Sequence, residues 1–156
     1  MNLLDLLLRK RGLTGVLEIE VRDSNGQITK RQINNLVVDN AALQLVHALT
    51  AAPAGYKIDH MVLGDSVTDP AVTDLNVGNP LLSVEISQYE DVADHGLKCT
   101  AVLAADEGVG QTFKEIGLFM ANNQMISRIG TAVFGSHTKE DNTTWTFNWT
   151  ITLTPP

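Results

Sequence analysis

The chain has 156 residues and a formal net charge of −7 at pH 7, from 11 Lys and Arg against 18 Asp and Glu. This acidic balance argues against nucleic acid and anionic lipid as partners, because phosphate groups are neutralised by clustered basic side chains. With 44% hydrophobic and 19% charged residues, the composition is typical of a folded domain rather than a disordered or membrane-embedded chain. The lone cysteine, Cys99, excludes an internal disulfide and a multi-cysteine zinc site.

Residues 1–12 are predicted to form an amphipathic helical arm. On a helix, four leucines would share one face: Leu3, Leu4, Leu7 and Leu8. The basic residues Arg9–Arg11 follow these leucines, whereas a secretory signal has its basic residues first. The apolar run is also too short to span a bilayer and contains Asp5. Two interpretations stay open: the helix caps its own domain, or its leucines bind a neighbouring subunit.

Residues 13–156 are predicted to form a single β-rich domain, because apolar and polar residues alternate along most of their length. The strand Val16–Arg22 places its apolar side chains on one face: Leu17, Ile19 and Val21. Asp23–Gly26 contains the residue types that tight hairpin turns require, so Gln27–Ile33 is predicted to return as the hairpin partner. Leu36–Val38 is a short apolar run that we expect to be buried.

One internal helix is predicted at about residues 39–51. Asp39 is its predicted N-cap, and apolar residues follow at helical spacing: Ala41, Ala42, Leu45, Val46 and Leu49. Pro53 and Gly55 end the pattern, because proline cannot continue the hydrogen-bond ladder and glycine favours the helix terminus.

Further strands are predicted between polar turns: Lys57–Leu63, Leu81–Glu90, Leu97–Ala104, Thr112–Met120 and Met125–Phe134. The stretch 65–80 is predicted to be a long surface loop, of the kind that often makes contacts with a partner. Residues 135–142 are predicted to form a second polar loop.

The clearest strand is Trp145–Leu153, where aromatic and aliphatic residues alternate with Thr and Asn. Such alternation is typical of an antiparallel strand with one buried face. The predicted fold class is therefore mainly β: an antiparallel β-sandwich or barrel-like domain with one packed α-helix at about 39–51 and a short N-terminal amphipathic helix.

The residue types that bind metals do not occur in a metal-binding pattern. No two of the four histidines are spaced as paired ligands on one helix face: His47, His60, His95 and His137. Two loops are rich in acidic residues but lack the order of a calcium-binding loop: Asp65, Asp69 and Asp74 in one, and Asp91 and Asp94 in the other. We predict that the chain binds no metal and no cofactor.

Catalytic patterns are equally absent from the sequence. The alternation around Cys99 predicts a buried side chain that packs in the core rather than a nucleophile. Glu85 and Glu115 could meet across a sheet, but no spacing favours that pairing. We therefore predict no catalytic residues and a protein that is not an enzyme.

Several segments, taken in order, carry a resemblance. Asn35–Asn40 (NLVVDN) leads into the predicted helix, and Ile58–Asp65 (IDHMVLGD) leads into the long loop. Leu82–Glu85 (LSVE) begins a strand, and Phe113–Phe119 (FKEIGLF) precedes Gln124–Ile126 (QMI). This succession resembles the N-terminal domain of bacteriophage tail-collar fibre proteins and related baseplate proteins, over roughly residues 34–134.

The resemblance implies a structural component of a bacteriophage virion, in the tail, the baseplate or the attachment of a tail fibre. It also implies other virion proteins as partners, self-association in a symmetric assembly, and synthesis in the bacterial cytoplasm before incorporation into the virion. Receptor binding is not implied, because the chain lacks the shaft and tip of a full fibre. Two alternatives stay open: a capsid decoration or head-fibre protein, and a glycan- or receptor-binding module that uses the loops 65–80 and 135–143.

Overall fold

The computed structural model describes residues 12–41, 44, 55–93 and 95–153, and the structural statements below concern these residues. Strands dominate them. In chain order they are β1 (Leu13–Arg22), β2 (Ile28–Asn34), β3 (Leu36–Val37), β4 (Ile58–Gly64), β5 (Pro80–Val92), β6 (Gly96–Leu103), β7 (Thr112–Phe113), β8 (Glu115–Met120), β9 (Met125–Ile129), β10 (His137–Thr138) and β11 (Thr144–Leu153). A short helix, Thr131–Phe134, follows β9.

Most of these strands form one antiparallel sheet in the order β2-β1-β11-β6-β5-β4-β8-β9-β3. The long strand β5 joins its two halves, because it pairs with β4 through its first residues and with β6 through its later ones. The two end strands, β2 and β3, are separated in the chain by Asn35 alone, whose main-chain N–H donates to the carbonyl of Gly15 at 3.1 Å. The sheet therefore curls into a nearly closed barrel, and the predicted mainly β, barrel-like class is confirmed.

The core lies inside this barrel. In neighbouring strands, Leu17 of β1 lies opposite Trp149 of β11, which lies opposite Cys99 of β6, and all three side chains are fully buried. Trp145 packs edge-to-face against Phe113 and Phe147, with ring centroids 5.9 and 6.3 Å apart. The period-two alternation of β1 and β11 thus places one face of each strand in the core, as predicted.

The predicted β1–β2 hairpin is also confirmed. The carboxylate of Asp23 accepts hydrogen bonds from the main-chain N–H groups of Asn25 and Gln27, both at 2.9 Å. Gly26 has a φ of 78°, which glycine adopts without the steric clash that a side chain would introduce.

The predicted strand Met125–Phe134 is wrong in its second half. The strand ends at Ile129, and Thr131–Phe134 form the short helix. At Gly130 a Cβ atom would lie 2.5 Å from Cδ of Pro70, and the hydroxyl of Thr131 donates to the carbonyl of Ser66 at 2.9 Å. These contacts with a distant loop override the apolar pattern, which by itself does not distinguish strand from helix.

The internal helix is described only at its beginning, in residues 39–41 and 44, so its predicted end at about 51 lies outside the described residues. Asp39 is the first helical residue, so it follows the N-cap position and does not occupy it as predicted. Its main-chain N–H donates to the carbonyl of Val72 at 2.8 Å, so this helix begins against the loop that follows β4.

Trp149 tests the assignment of the core. We expect Trp149→Ala to lower the free energy of unfolding by about 3–5 kcal/mol, because it empties a large buried site. Within the described part of the chain, the indole N–H of Trp149 has no hydrogen-bond partner. Neither substitution removes a hydrogen bond, so Trp149→Phe should cause a clearly smaller loss, because it leaves a smaller cavity. Urea denaturation measures both, and equal losses would contradict this packing.

Candidate functional site

The 65–79 loop joins β4 to β5, and both of its ends lie beside the start of β8. The carboxylate of Glu115, the first residue of β8, is fully buried. Its Oε1 accepts hydrogen bonds from the main-chain N–H groups of Ser66 at 3.2 Å and Asn79 at 2.9 Å, and its Oε2 accepts one from Gly78 at 3.0 Å. One side chain therefore holds both ends of the loop.

Arg128 of β9 completes this arrangement. Its side chain is 3% exposed, and its Nε and Nη2 donate to Oε2 of Glu115 at 3.0 and 2.7 Å. Nη1 donates to Asp74 at 2.6 Å, and Nη2 also donates to the carbonyl of Thr68 at 3.1 Å. Burial disfavours the charged guanidinium, but the hydrogen bonds to Asp74 and Glu115 outweigh it, so the pKa of Arg128 is raised.

Gly64, at the end of β4, makes room for this ion-paired cluster. A Cβ atom there would lie 2.5 Å from both the carbonyl oxygen of Asn79 and Oε1 of Glu115. Both distances are too short for a Cβ atom, so only glycine at this position allows the carboxylate to reach the main chain of the loop.

Two acidic residues of the loop, Asp65 and Asp74, form hydrogen bonds within the protein. Asp74 accepts hydrogen bonds from Arg128 and from the main-chain N–H of Ala71, and Asp65 accepts one from the side-chain amide of Asn79. In the part of the chain that the structure describes, no group of three or more His, Cys, Asp or Glu residues is arranged to hold a metal ion.

The outer side of the 65–79 loop carries exposed apolar side chains. Val67, Val72 and Leu75 are 69%, 46% and 67% exposed, and we call these three the loop apolar surface. The ion-paired cluster of Glu115 and Arg128 binds the main chain at 66, 68, 78 and 79 and the side chain of Asp74. A partner would therefore meet a surface that is already ordered. Binding to such a surface avoids much of the entropy loss that ordering a loop entails.

The residues predicted to bind a partner, Leu3, Leu4, Leu7 and Leu8, lie outside the described residues, as does His47. The possible carboxylate pair does not form. Glu85 is exposed on β5 opposite His60, Glu115 is buried on β8, and β4 lies between them. Cys99 is buried as predicted, and burial raises the pKa of its thiol to about 11.

Sequence reasoning missed Arg128 as a structural residue. A charged residue within the apolar strand Met125–Ile129 was the available signal, because a charge in a buried strand needs a partner of opposite sign. Glu115, at the head of the apolar run of β8, is the matching signal on the neighbouring strand.

The predicted polar loop 135–142 contains a second buried cation. Lys139 is fully buried, and its ammonium donates to the main-chain carbonyls of Ala105 at 3.1 Å and Thr143. Burial lowers the pKa of Lys139, while the carboxylates of Asp106 and Asp141 act in the opposite direction. Lys139 thereby ties the turn after β6 to the turn before β11.

Comparisons with models of known protein families, with curated proteins and with solved structures found no match to this chain. Among the described residues, no helix has the length and hydropathy that a membrane crossing requires.

We expect Glu115→Gln to lower the free energy of unfolding by about 3–5 kcal/mol, because it leaves Arg128 buried with half of its counter-charge. The matched control is Glu85→Gln, the same substitution at an exposed position of β5, which should stay within about 0.5 kcal/mol of the wild type. Both are measured by urea denaturation. Equal effects would show that the buried cluster does not stabilise the fold.

Lys139→Met is expected to destabilise the protein by about 2–4 kcal/mol, because it keeps the apolar stem but leaves buried carbonyl groups without a donor. Lys30→Met serves as the control, since the Lys30 side chain is 57% exposed and forms a surface ion pair with Glu20. That change should leave the stability nearly unchanged, because an exposed ion pair contributes little to it. Thermal and chemical denaturation measure the stability of both variants. A loss of stability in Lys139→Met no larger than that in Lys30→Met would contradict the assignment.

Proposed function

We propose that this chain is a structural component of a bacteriophage virion, located in the tail, the baseplate or the attachment of a tail fibre. It acts through contacts between subunits. Its partners are other virion proteins and further copies of itself.

The observation that carries this proposal is the position of the segments that resemble phage fibre and baseplate proteins. Apart from Phe113 on β7, their strand residues fall on β3, β4, β5, β8 and β9, which are consecutive in the sheet order β5-β4-β8-β9-β3. Segments that are dispersed along about a hundred residues thus form one contiguous half of the barrel. This supports the proposal, because the resemblance then concerns a folded unit rather than scattered short matches.

The buried cluster lies in the same half of the barrel. Glu115 and Arg128 belong to β8 and β9, and they hold the loop that follows β4. The function of this half is therefore to present the loop apolar surface in a fixed arrangement. A protein that acts by subunit contact needs such a surface, because apolar side chains in an ordered loop can be buried against a neighbour.

The glycan-binding alternative receives less support. Sugar rings commonly stack on exposed aromatic side chains, whereas Trp145 and Trp149 are 5% and 0% exposed and form part of the core. The 65–79 loop contributes aliphatic rather than aromatic side chains to the surface.

Cryo-electron microscopy of the virions that contain this chain tests the proposal. Density for the barrel at the tail, the baseplate or the root of a fibre is the expected result. Density on the head would favour the capsid decoration alternative, and absence of the chain from every particle would overturn a virion role.

The loop apolar surface supplies a matched pair of variants for the same experiment. We expect Val67→Asp to reduce incorporation of the chain into particles, because a carboxylate would be buried against the neighbouring subunit. Val109→Asp makes the same change at a position that is 44% exposed on a different turn, and it should leave incorporation unchanged. Equal incorporation of the two variants would show that this loop is not a contact.

A further inference from the structure

An apolar pocket opens between the β1–β2 hairpin and the segment that follows the short helix. It has a volume of about 150 Å³. Four apolar residues that line the pocket, which we call its walls, are Ile19, Val21, Trp145 and Phe134. Arg31 and His137 also line it, and we call these two polar residues its rim. An apolar cavity of about this size holds a molecule as large as benzene, so one leucine side chain fits.

The pocket lies at the seam where the barrel is not closed by strand pairing. β2 is an end strand of the sheet, and most of its residues are exposed. Across the seam, the guanidinium of Arg31 donates to the main-chain carbonyls of Val133 and Phe134. Its Nη1 also lies 2.9 Å from Nε2 of His137. Side-chain hydrogen bonds thus take the place of a strand ladder here, and the apolar pocket opens beside them.

Arg31 brings a positive charge to this rim. Within the described part of the chain, the recorded ion pairs join other residues, and no carboxylate pairs with Arg31. A segment that presents leucines together with a carboxylate would match both the walls and the rim of the pocket.

Residues 1–11 have this character. They contain Leu3, Leu4, Leu7 and Leu8 around Asp5, and their three basic residues against one acidic residue give a net charge of +2. Since the chain has 11 basic and 18 acidic residues, the remainder carries −9. The segment is therefore opposite in charge to the domain that it would bind.

We propose that the pocket binds residues 1–11 of a second copy of this chain, with one leucine side chain inserted between Ile19 and Trp145 and Asp5 beside Arg31. This inference deepens the proposed function, because it names the partner and the surface for one of the subunit contacts.

The distance along β1 favours a second copy over the same chain. Leu3 lies ten residues before Leu13, so on the predicted helix it can be about 15 Å from the start of β1. Ile19 and Val21 lie six and eight residues beyond that start, which corresponds to about 20 and 27 Å along a strand. A helical segment therefore falls short of its own pocket, whereas a segment from a neighbour is free of this limit.

The mass of the purified full-length chain, measured by light scattering and sedimentation across a concentration range, is the first test. We expect the wild type to self-associate and Leu4→Glu to weaken this association about ten-fold or more, which corresponds to the loss of one buried leucine. The matched control is Leu81→Glu, at a leucine that is 41% exposed on β5, and its mass should equal that of the wild type. A monomeric wild type, or an oligomer that Leu4→Glu leaves unchanged, would overturn the proposal.

Disulfide trapping locates the contact. Cys99 is fully buried and is the only cysteine, so a disulfide that forms between chains identifies the positions of the introduced cysteines. A mixture of two single variants, Leu4→Cys and Thr29→Cys at the pocket, should form a covalent dimer of the two different chains under mild oxidation. Ser83→Cys, at an exposed position of β5, replaces Thr29→Cys in the control mixture.

Cross-linking no faster than in that control mixture would overturn the proposal. So would a double variant, Leu4→Cys with Thr29→Cys, that oxidises only within a single chain, because the segment would then occupy its own pocket. These experiments use the purified chain alone. Their failure therefore leaves the virion proposal standing, and a chain that is absent from virions could still associate through this pocket.

Discussion

The ion pair between Glu115 and Arg128 is the interaction on which one half of this barrel depends, the half formed by β5, β4, β8, β9 and β3. Two charges buried at 0% and 3% side-chain exposure would each be several kcal/mol unfavourable without partners. Here the main-chain N–H groups of Ser66, Gly78 and Asn79 satisfy the carboxylate, and Asp74 and Thr68 satisfy the guanidinium. A different path for the loop would leave these charges unpaired, so the pair selects one loop conformation.

This constraint links the sheet to the surface. β8 and β9 are neighbours, and their charged residues lie at the end of the barrel where β4 finishes and β5 begins. Gly64 allows the carboxylate to approach, and the loop then turns Val67 and Leu75 outward. The exposed apolar side chains are therefore held by groups in the interior, and a change at Glu115 would alter a surface that Glu115 does not itself reach.

The strand pattern could be predicted from the sequence, but the cluster could not. In Trp145–Leu153 the apolar or polar type of each residue indicates whether its side chain faces the core, because neighbouring side chains of a strand point to opposite faces. The pairing of Glu115 with Arg128 depends instead on which strands are adjacent and in which register, and no local spacing encodes this. The same gap explains why a meeting of Glu85 with Glu115 stayed open in the sequence. It also explains why Thr131–Phe134 was predicted as strand, although contacts to Ser66 and Pro70 make it leave the sheet.

The pairing of β1 with β11 has a consequence for the order in which the chain can fold. β1 comprises residues 13–22 and β11 residues 144–153, and the register joins them along their whole length. Contacts between such distant segments incur a large loop-closure entropy and slow the folding of β-rich domains. During synthesis, β1 and β6 keep unpaired edges until β11 has emerged from the ribosome, because β11 is the strand that lies between them. The barrel is therefore completed only when β11 is available, and this strand converts two exposed edges into one continuous sheet.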